Sequence, residues 1–236
     1  MYQRVAPDAE IATLATPTVG EWTFDGHTGD TSWFHRDAWA RGDEPLSWTT
    51  DRHGNADRAI NLSGVQLLDT RGGQPLYTDR SYSISVWVKP ADANGDGRAD
   101  GAGDQVVLAA DGASVSPFYL KLKRGSSQTT DRWQFTMPTT DAGGAAQTIT
   151  TSASAVTGGA WTHLAVVWNK GWGRAQLYVN GVLEGTGPTT SSWRAPETGS
   201  LHIGVAQAGN FIGGLDDLRL YQRTLTTAEI NNLYDL

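Results

Sequence analysis

The amino-acid sequence predicts an all-β fold, in which two antiparallel sheets pack as a β-sandwich and the chain ends in one short helix. The 28 glycines and 10 tryptophans favour short strands joined by tight turns. Apolar segments with a period of two residues recur along the chain, and a helical period occurs only near its end. The 236 residues suit one sizeable β domain with a single hydrophobic core.

The strand candidates follow from this alternation in chain order. Residues 20–24 form the first, with Trp22 and Phe24 on one face. Residues 25–58 carry no clear period and are expected to form a long loop region, with short strands at most. Further strands are predicted at 59–64, 83–90, 105–110, 118–123, 133–137, 147–151, 162–168, 175–185, 201–205 and 214–223.

Two local signals predict a hairpin and a helix. Asn180 and Gly181 lie between alternating hydrophobic residues, which is the strongest short-range hairpin signal because both turn residues take positive φ. Thr226 followed by Glu229 forms a capping box, and an apolar stripe with a period of 3.6 residues follows it. One short C-terminal helix is therefore expected within residues 225–236.

Composition and charge exclude several classes of protein. Residues 1–17 are predicted to be a flexible lead-in, and residues 18–236 the folded domain. The net charge is −7 and no stripe of lysines or arginines occurs, so nucleic acid is not an expected partner. The chain has no cysteine, which excludes disulfides and thiol chemistry.

The sequence also bears on location. The apolar run at residues 164–168 is far too short to cross a bilayer, so membrane insertion is not expected. The first residues show no basic start followed by an apolar stretch, as a signal peptide would. They read like a linker with an added Met, which favours a domain of a larger exported chain, located outside the cell or at its surface.

The stretch DANGDGRADGAGD, residues 92–104, crowds carboxylates and glycines between two predicted strands. Its oxygen donors follow the spacing of an EF-hand calcium loop, with a glycine at the sharp turn and a carbonyl after it. The acid expected at position twelve is replaced by Gly103 and arrives one residue later. The predicted calcium ligands are Asp92, Asn94, Asp96, the carbonyl of Arg98, Asp100 and Asp104.

A metal-free explanation of the same loop stays open. Aspartate and glycine are common at hairpin tips, where they favour turns and solubility. The crowded acids would nevertheless repel one another without a cation, which favours calcium. Because the loop joins two strands, calcium here would order a hairpin and stabilise the fold.

Several segments, taken in order, resemble the laminin G-like, concanavalin A-like jelly-roll domains of secreted actinobacterial proteins. The resemblance covers residues 19–236 and implies two curved sheets, a metal site near the rim of the sandwich, and usually a binding role. It rests on EWTFDG, SWTTDRHGNADRAINLSG, YSISVWVKP, WTHLAVVWN, AQLYVNGVLEGT, LHIG and FIGGLDDLRLYQRTLTTAEINNLY.

A second metal candidate lies in GLDDLRLY. Strand alternation predicts that Asp216 shares a face with Leu218 and Leu220, where a carboxylate needs a counter-charge or a metal. In the resembled family the first acid of this motif coordinates a structural calcium, which implies Asp25 and Asp30 as its co-ligands. The alternative is a buried aspartate paired with an arginine or with backbone amides.

Tryptophans in predicted loops are candidates for binding saccharides, because indole packs against the C–H faces of sugar rings. The candidate ligand-binding residues are Trp172, Trp193, Trp33, Trp39 and His35. Packing over the edge of the sandwich is the alternative for each tryptophan. Trp22, Trp87, Trp133, Trp161 and Trp168 lie in strand-like runs and are expected to be structural.

The sequence lacks the patterns of glycosidases and hydrolases. It has no E-x-D-x-E strand motif, no H-E-x-x-H and no G-x-S-x-G, and strand alternation would point Asp216 and Asp217 to opposite faces. The sequence therefore predicts a non-catalytic, calcium-stabilised module that binds carbohydrate. The alternative is an adhesive or spacer domain that contacts extracellular protein, and a glycoside hydrolase with an unrecognised site comes third.

Overall fold

A computed structural model describes residues 18–42, 45–188, 192–205 and 209–236, so the predicted lead-in at 1–17 lies outside the described residues. The strands and the helix of this part of the chain alternate with short turns. They are β1 Gly20–Trp22, β2 Ala38–Arg41, β3 Ser47–Thr49, β4 Ala59–Ser63, β5 Leu67–Thr70, β6 Tyr82–Pro90, β7 Gln105–Ala110, β8 Tyr119–Lys123, β9 Arg132–Pro138, β10 Gln147–Ala155, β11 Thr162–Asn169, β12 Arg174–Val179, β13 Val182–Pro188, β14 Leu201–Ile203, β15 Ile212–Tyr221 and α1 Thr227–Asp235.

These strands form two antiparallel sheets. The eight-stranded sheet has the order β13-β12-β11-β6-β15-β4-β3, with β1 paired to β15 beside β4. The seven-stranded sheet has the order β10-β9-β8-β7-β14-β5-β2. The predicted two-sheet sandwich with one short C-terminal helix is confirmed.

The main core lies between the sheets and is built by strand alternation. In β6, Ile84, Val86 and Val88 are buried in this core, while Ser85 and Trp87 face the other side of the sheet. Trp22, Trp133 and Trp168 are also buried there, as expected of structural tryptophans.

The helix covers the outer face of the eight-stranded sheet. Thr226 Oγ1 accepts a hydrogen bond from the amide of Glu229, and Glu229 Oε2 accepts one from the amide of Thr226, so the predicted capping box forms. Leu225, Ile230 and Leu233 then pack on outward-facing residues of the sheet in a second apolar cluster. The Asn180–Gly181 turn is also confirmed, with φ of 49° and 78°.

Three strands were not predicted from the sequence as individual elements. β2 and β3 lie in the region predicted to be mainly loop, and β5 falls in a stretch for which no strand was predicted. Each has only three or four residues, too few to show a period. Their pairing is long-range: β2 with β5, and β3 with β4.

The register places the loops at two opposite ends of the sandwich. Segment 91–104 follows the end of β6 and precedes β7, and it defines the acidic-loop end. Segments 31–37, 71–81, 111–118, 170–173 and 192–200 lie at the other end, called here the aromatic end. The acidic loop and most of the predicted sugar-binding residues therefore lie at opposite ends of the domain.

Two glycines with positive φ provide a matched test of the inter-sheet packing. A Cβ at Gly204 would lie 2.2 Å from Cδ1 of buried Leu62, whereas a Cβ at Gly54 would meet nothing within 4 Å. We expect Gly204→Ala to lower the unfolding free energy by about 1–3 kcal/mol more than Gly54→Ala, because only the first overpacks the core. Urea unfolding of both variants measures the difference, and equal losses would contradict it.

Candidate functional site

A row of polar and aromatic side chains crosses the open face of the seven-stranded sheet. Trp39 on β2 lies opposite Asp69 on β5, and Asp69 lies opposite His202 on β14. His202 lies opposite Ala109 on β7, which pairs in turn with Tyr119 on β8. The preceding residues Ala38, Leu68, Leu108 and Leu201 are buried in the inter-sheet core, so this row faces outward.

His202 holds the centre of this row between two carboxylates. Its Nδ1 lies 2.5 Å from Asp69 Oδ1, and its Nε2 lies 2.6 Å from Asp111 Oδ1. The hydrogen bond to Asp69 raises the pKa of His202, burial opposes this effect, and Asp111 adds to it. Arg41 donates to Asp69 Oδ2 at 2.6 Å. The result is a preorganised set of alternating charges on a rigid sheet.

A cleft of about 430 Å³, called here the His202 cleft, is lined by three of these charged groups, Arg41, Asp111 and His202. Its rim is loop 112–116, which Asp141 holds in place by accepting hydrogen bonds from the amides of Ala113, Ser114 and Val115. Burial would raise the pKa of Asp141, but these three bonds outweigh it and lower the pKa. The lining comprises Arg41, Asp111, Gly112, Ala113, Ser114, Val115, Ser116, Tyr119, His202 and Val205.

The five predicted ligand-binding residues differ in exposure. Trp33 is 87% exposed, Trp172 is 73% exposed, and Trp39 is 49% exposed with the Arg71 guanidinium 4.2 Å from its ring centroid. Trp193 is only partly exposed: its Nε1 donates to the carbonyl of Pro138, and its ring packs close to Gly112. It covers an edge of the sandwich, which was the alternative for this residue.

The remaining predicted residue, His35, is exposed in the loop that also presents Trp33. Its φ is 49°, and its Nδ1 lies 3.3 Å from the carbonyl of Asp30. Among the five, Trp39 lies beside the His202 cleft through its pairing with Asp69, and Trp193 borders the cleft through Gly112. Trp33 instead lines a pocket of about 530 Å³ between the helix and the outer face of the eight-stranded sheet, together with Glu21, Arg219 and Arg223.

The acidic loop brings Asp92, Asn94 and Asp96 together by hydrogen bonds to its own backbone. Asp92 accepts from the amides of Asp96 and Gly97, and Asn94 Oδ1 also accepts from the amide of Asp96. Gly97 has the positive φ expected at the sharp turn, 79°. These bonds fix the loop in the manner of aspartate turns, as the metal-free explanation requires.

Of the other predicted ligands, Asp100 stays within the loop, whereas the side chains of Arg98 and Asp104 pair with residues outside it. Asp100 Oδ2 accepts from the amide of Ala93 at 3.0 Å. The Arg98 side chain leaves the loop and pairs with Asp131 at 2.9 Å. Asp104 lies 3.0 Å from Lys121 Nζ and 3.1 Å from Lys123 Nζ, so the structure does not bring it into the loop.

The loop therefore meets one requirement of a calcium site and misses another. Its carboxylate, amide and carbonyl oxygens are the donors that calcium prefers. Across the residues that the structure describes, however, no three aspartate, glutamate, histidine or cysteine side chains converge so as to hold a metal ion. Calcium binding at this loop stays a prediction.

At the second predicted metal site, a β-bulge changes the faces of β15. Asp216 pairs with Trp87 and Arg219 pairs with Ser85, so two residues of β15 oppose one of β6, and Asp217 has a φ of 46°. The alternation shifts by one residue at this point. The prediction that Asp216 shares a face with Leu218 and Leu220 is therefore wrong, because those leucines face the core and Asp216 faces away from it.

The bulge also turns the two neighbouring aspartates toward one arginine. Arg52 Nη1 lies 2.8 Å from Asp216 Oδ2 and 2.7 Å from Asp217 Oδ2. The expectation that the two carboxylates point to opposite faces is wrong for the same reason. The arginine partner of Asp216 corresponds to the alternative to a metal at this position.

Asp25 and Asp30, the co-ligands implied by the resemblance, have other partners. Asp25 is an exposed partner of Arg58 at 3.3 Å. Asp30 is buried, and its carboxylate accepts hydrogen bonds from the amides of Glu21, Ser32 and Arg36 and from the Ser32 hydroxyl. These donors satisfy Asp30 with protein groups alone.

Four residues in or next to the cleft were missed as site candidates. Arg41, Asp69, Asp111 and Tyr119 lie far apart in the sequence and meet only through strand pairing. His202 was not predicted as a site residue either. The only sequence signal was that it alternates with the apolar Leu201 and Ile203, which places it on the outward face.

Comparison with known proteins now identifies the family. A model described as "Concanavalin A-like lectin/glucanases superfamily", Laminin_G_3, matches residues 62–231. The chain belongs to this family. No curated protein sequence matches it. The resemblance recognised from the sequence motifs is thereby confirmed.

Solved structures share the laminin G-like fold. Domain 4 of AbnA, an extracellular GH43 arabinanase from Geobacillus stearothermophilus solved with arabinotriose, matches at 19% identity and a TM-score of 0.68, over 93% of this chain and 98% of that one. The receptor-binding domain of a botulinum neurotoxin C/D mosaic matches at 13% identity and 0.68, over 93% and 51%. The serotype D ligand-binding domain with N-acetylneuraminic acid matches at 12% and 0.67, over 94% and 52%.

At these identities the structural likeness shows the fold alone. The laminin G-like chain spans about half the length of the two toxin structures. Among the described residues, no helix is long and apolar enough to span a membrane.

The buried aspartate pair predicts a pH dependence of stability. Asp216 is 4% exposed; burial, and then the Asp217 carboxylate, raise its pKa to about 7, and Arg52 offsets only part of this. At pH values between the ordinary pKa of 3.8 and about 7, Asp216 keeps its proton in the folded protein but has lost it in the unfolded chain. The contribution of Asp216 to the unfolding free energy therefore falls as the pH rises through this window.

The comparison with Asp216→Asn isolates this effect. Burial lowers the pKa of His163 to about 4, which acts in the opposite sense but equally in both proteins. We expect the stability of the wild type relative to Asp216→Asn to decrease from pH 4 to pH 7 and to stay level above it, in urea unfolding at each pH. Parallel curves for the two proteins would contradict the raised pKa.

Proposed function

We propose that this domain is a non-catalytic carbohydrate-binding module and that its saccharide site is the His202 cleft. The single observation that carries the proposal is the row that joins Trp39, Asp69, His202 and Tyr119 across adjacent strands. Saccharides need a flat apolar surface beside fixed donors and acceptors. Trp39 provides the first, and the charges around His202 provide the second.

The cleft suits a short saccharide segment in size and chemistry. A volume of about 430 Å³ lies within the range of small-molecule sites. Arg41 can donate hydrogen bonds to a saccharide, while Asp111, which His202 holds in place, and the hydroxyls of Tyr119 and Ser114 offer acceptors for sugar hydroxyls. Support from a related fold comes from AbnA domain 4, whose structure contains arabinotriose.

The carboxylates of the cleft argue for binding without catalysis. Glycosidic cleavage needs one carboxyl group with a raised pKa as the general acid. Burial would raise the pKa of Asp69, but hydrogen bonds from His202 and Arg41 outweigh it and lower that pKa. Asp216 has a raised pKa but lies buried against Arg52, on the other sheet.

A binding screen with matched tryptophan variants tests the site. The probes are arabinotriose first and then an array of neutral oligosaccharides, by isothermal titration calorimetry. We expect Trp39→Ala to weaken binding by about tenfold or more, as loss of a central aromatic contact does. Trp33→Ala and Trp172→Ala serve as controls with tryptophans that are more exposed than Trp39, and both should bind like the wild type.

Each other outcome points to a different assignment. Loss of binding in Trp33→Ala or Trp172→Ala, but not in Trp39→Ala, would move the saccharide site to the pocket beside the helix or to the β11–β12 hairpin. No binding to any glycan would favour the alternative, an adhesive or spacer domain that contacts extracellular protein. We propose an extracellular or cell-surface location in either case.

We further propose that the acidic loop binds calcium through Asp92, Asn94, Asp96 and Asp100 and thereby stabilises the domain. Support comes from the EF-hand order of the oxygen donors and from the positive φ of Gly97. Extracellular calcium sites have dissociation constants of about 0.1–1 mM. Calcium at ten times such a constant would raise the unfolding free energy by about 1.4 kcal/mol.

Thermal unfolding with and without about 2 mM calcium measures this stabilisation. We expect the midpoint to rise in the wild type and not in Asp92→Asn/Asp96→Asn, which removes two carboxylates. Asp57→Asn is the control: Asp57 is exposed, lies outside the loop, and has a φ of 57° that asparagine also adopts. An unchanged wild-type midpoint would refute calcium binding.

A further inference from the structure

The aromatic end carries a cluster of arginines stacked on exposed rings. Tyr77 is 42% exposed, and the guanidinium carbons of Arg80 and Arg194 lie 5.0 and 4.5 Å from its ring centroid. Arg36 lies 4.5 Å from the ring centroid of exposed Phe34 and close enough to interact electrostatically with Tyr77. We call Phe34, Arg36, Tyr77, Arg80 and Arg194 the Tyr77 surface.

The backbone under this surface is fixed by hydrogen bonds from other segments. Gln222 accepts from the amide of Tyr77 and donates to its carbonyl, at 2.6 and 3.2 Å. The hydroxyl of Thr78 donates to the carbonyl of Trp193 and accepts from the amide of Ala195, both at 2.8 Å. These hydrogen bonds therefore fix the backbone on which Tyr77 lies.

The charge of this surface differs from that of the chain as a whole. Arg194 pairs with exposed Glu197, a partner that water screens strongly, whereas Arg80 makes no ion pair with any residue that the structure describes. Lys170 adds a cation by donating to the carbonyl of Asp79. The carboxylates that interact with these four cations are Asp30 and Glu197, and Asp79 precedes Arg80 in the chain.

Of these carboxylates, Asp30 is buried and directed at backbone amides. The surface thus keeps a local excess of positive charge in a chain whose net charge is −7. Guanidinium groups placed over aromatic rings can direct N–H groups toward solvent, and such N–H groups match carboxylate and other planar or tetrahedral oxyanions.

We propose that the Tyr77 surface binds the acidic group of a saccharide, either a carboxylate or a sulfate ester. The proposal rests on the proposed function and names its ligand class as an acidic glycan. Trp193 links the two surfaces: its carbonyl accepts from Thr78, and its ring lies against Gly112 in the lining of the His202 cleft. A chain seated in the cleft extends past Trp193 toward Arg80 and Arg194.

Pairs of polysaccharides that differ only in charge test this inference. The carboxylate pair is polygalacturonate and its fully methyl-esterified form, and the sulfate pair is dextran sulfate and dextran, measured at low salt without added calcium. The variant Arg80→Gln/Arg194→Gln removes two charges from the surface. Arg58→Gln/Lys123→Gln removes two charges elsewhere, from side chains that are 54% and 49% exposed.

We expect the acidic member of at least one pair to bind about tenfold more tightly than its neutral form, since guanidinium–oxyanion bonds are charge-assisted. Arg80→Gln/Arg194→Gln should abolish that preference, and the control should retain it. The pair that shows the preference identifies the acidic group as carboxylate or sulfate.

Two results would overturn the inference. One is equal affinity for the acidic and neutral forms in both pairs; the other is an equal loss of acidic binding in the control, which would indicate unspecific attraction. Neither bears on the cleft, because neutral saccharides and Trp39→Ala test it separately. Conversely, binding of acidic saccharides without any binding of neutral saccharides would refute only the assignment of the saccharide site to the cleft.

Discussion

Because the two sheets bury one side of their central strands between them, only alternate residues of those strands remain to face outward. The binding surfaces of the domain are drawn from those residues and from the loops. In the seven-stranded sheet, burial of Ala38, Leu68 and Leu201 forces Trp39, Asp69 and His202 onto the open face. Strand pairing then sets these three side chains side by side. The core thus determines the composition of the cleft without touching a ligand.

The same rule explains where reasoning from alternation fails. A bulge adds one residue to β15 between Asp216 and Arg219, and every side chain before it changes face relative to those after it. A hydrophobic pattern of leucines at 215, 218 and 220 is the only trace of this in the sequence, since it departs from a strict period of two. The bulge turns two aspartates toward Arg52, which offsets part of their negative charge.

The fold could be predicted from the sequence further than the site could. Long strands such as β6 and β11, the Asn180–Gly181 turn and the capping box of α1 depend on residues near one another in the chain, and all were predicted. The His202 cleft depends on the register between β2, β5 and β14, and two of these strands were too short to predict. Asp69 and Asp111 have no pattern of their own, and only the position of His202 between them gives them a role.

The separation of the two ends limits what a metal at the acidic loop can do. β6 and β7 connect that loop to the body of the sandwich, and the His202 cleft and the Tyr77 surface lie near the opposite ends of these strands. Because β6 and β7 lie in different sheets, calcium at Asp92 and Asp96 would order a connection between the two sheets, and not the hairpin expected from the sequence, without contacting a saccharide at the cleft. Its influence on binding would pass through the stability of the whole β-sandwich, so calcium would change the fraction of folded protein and leave the affinity of each folded molecule unaltered.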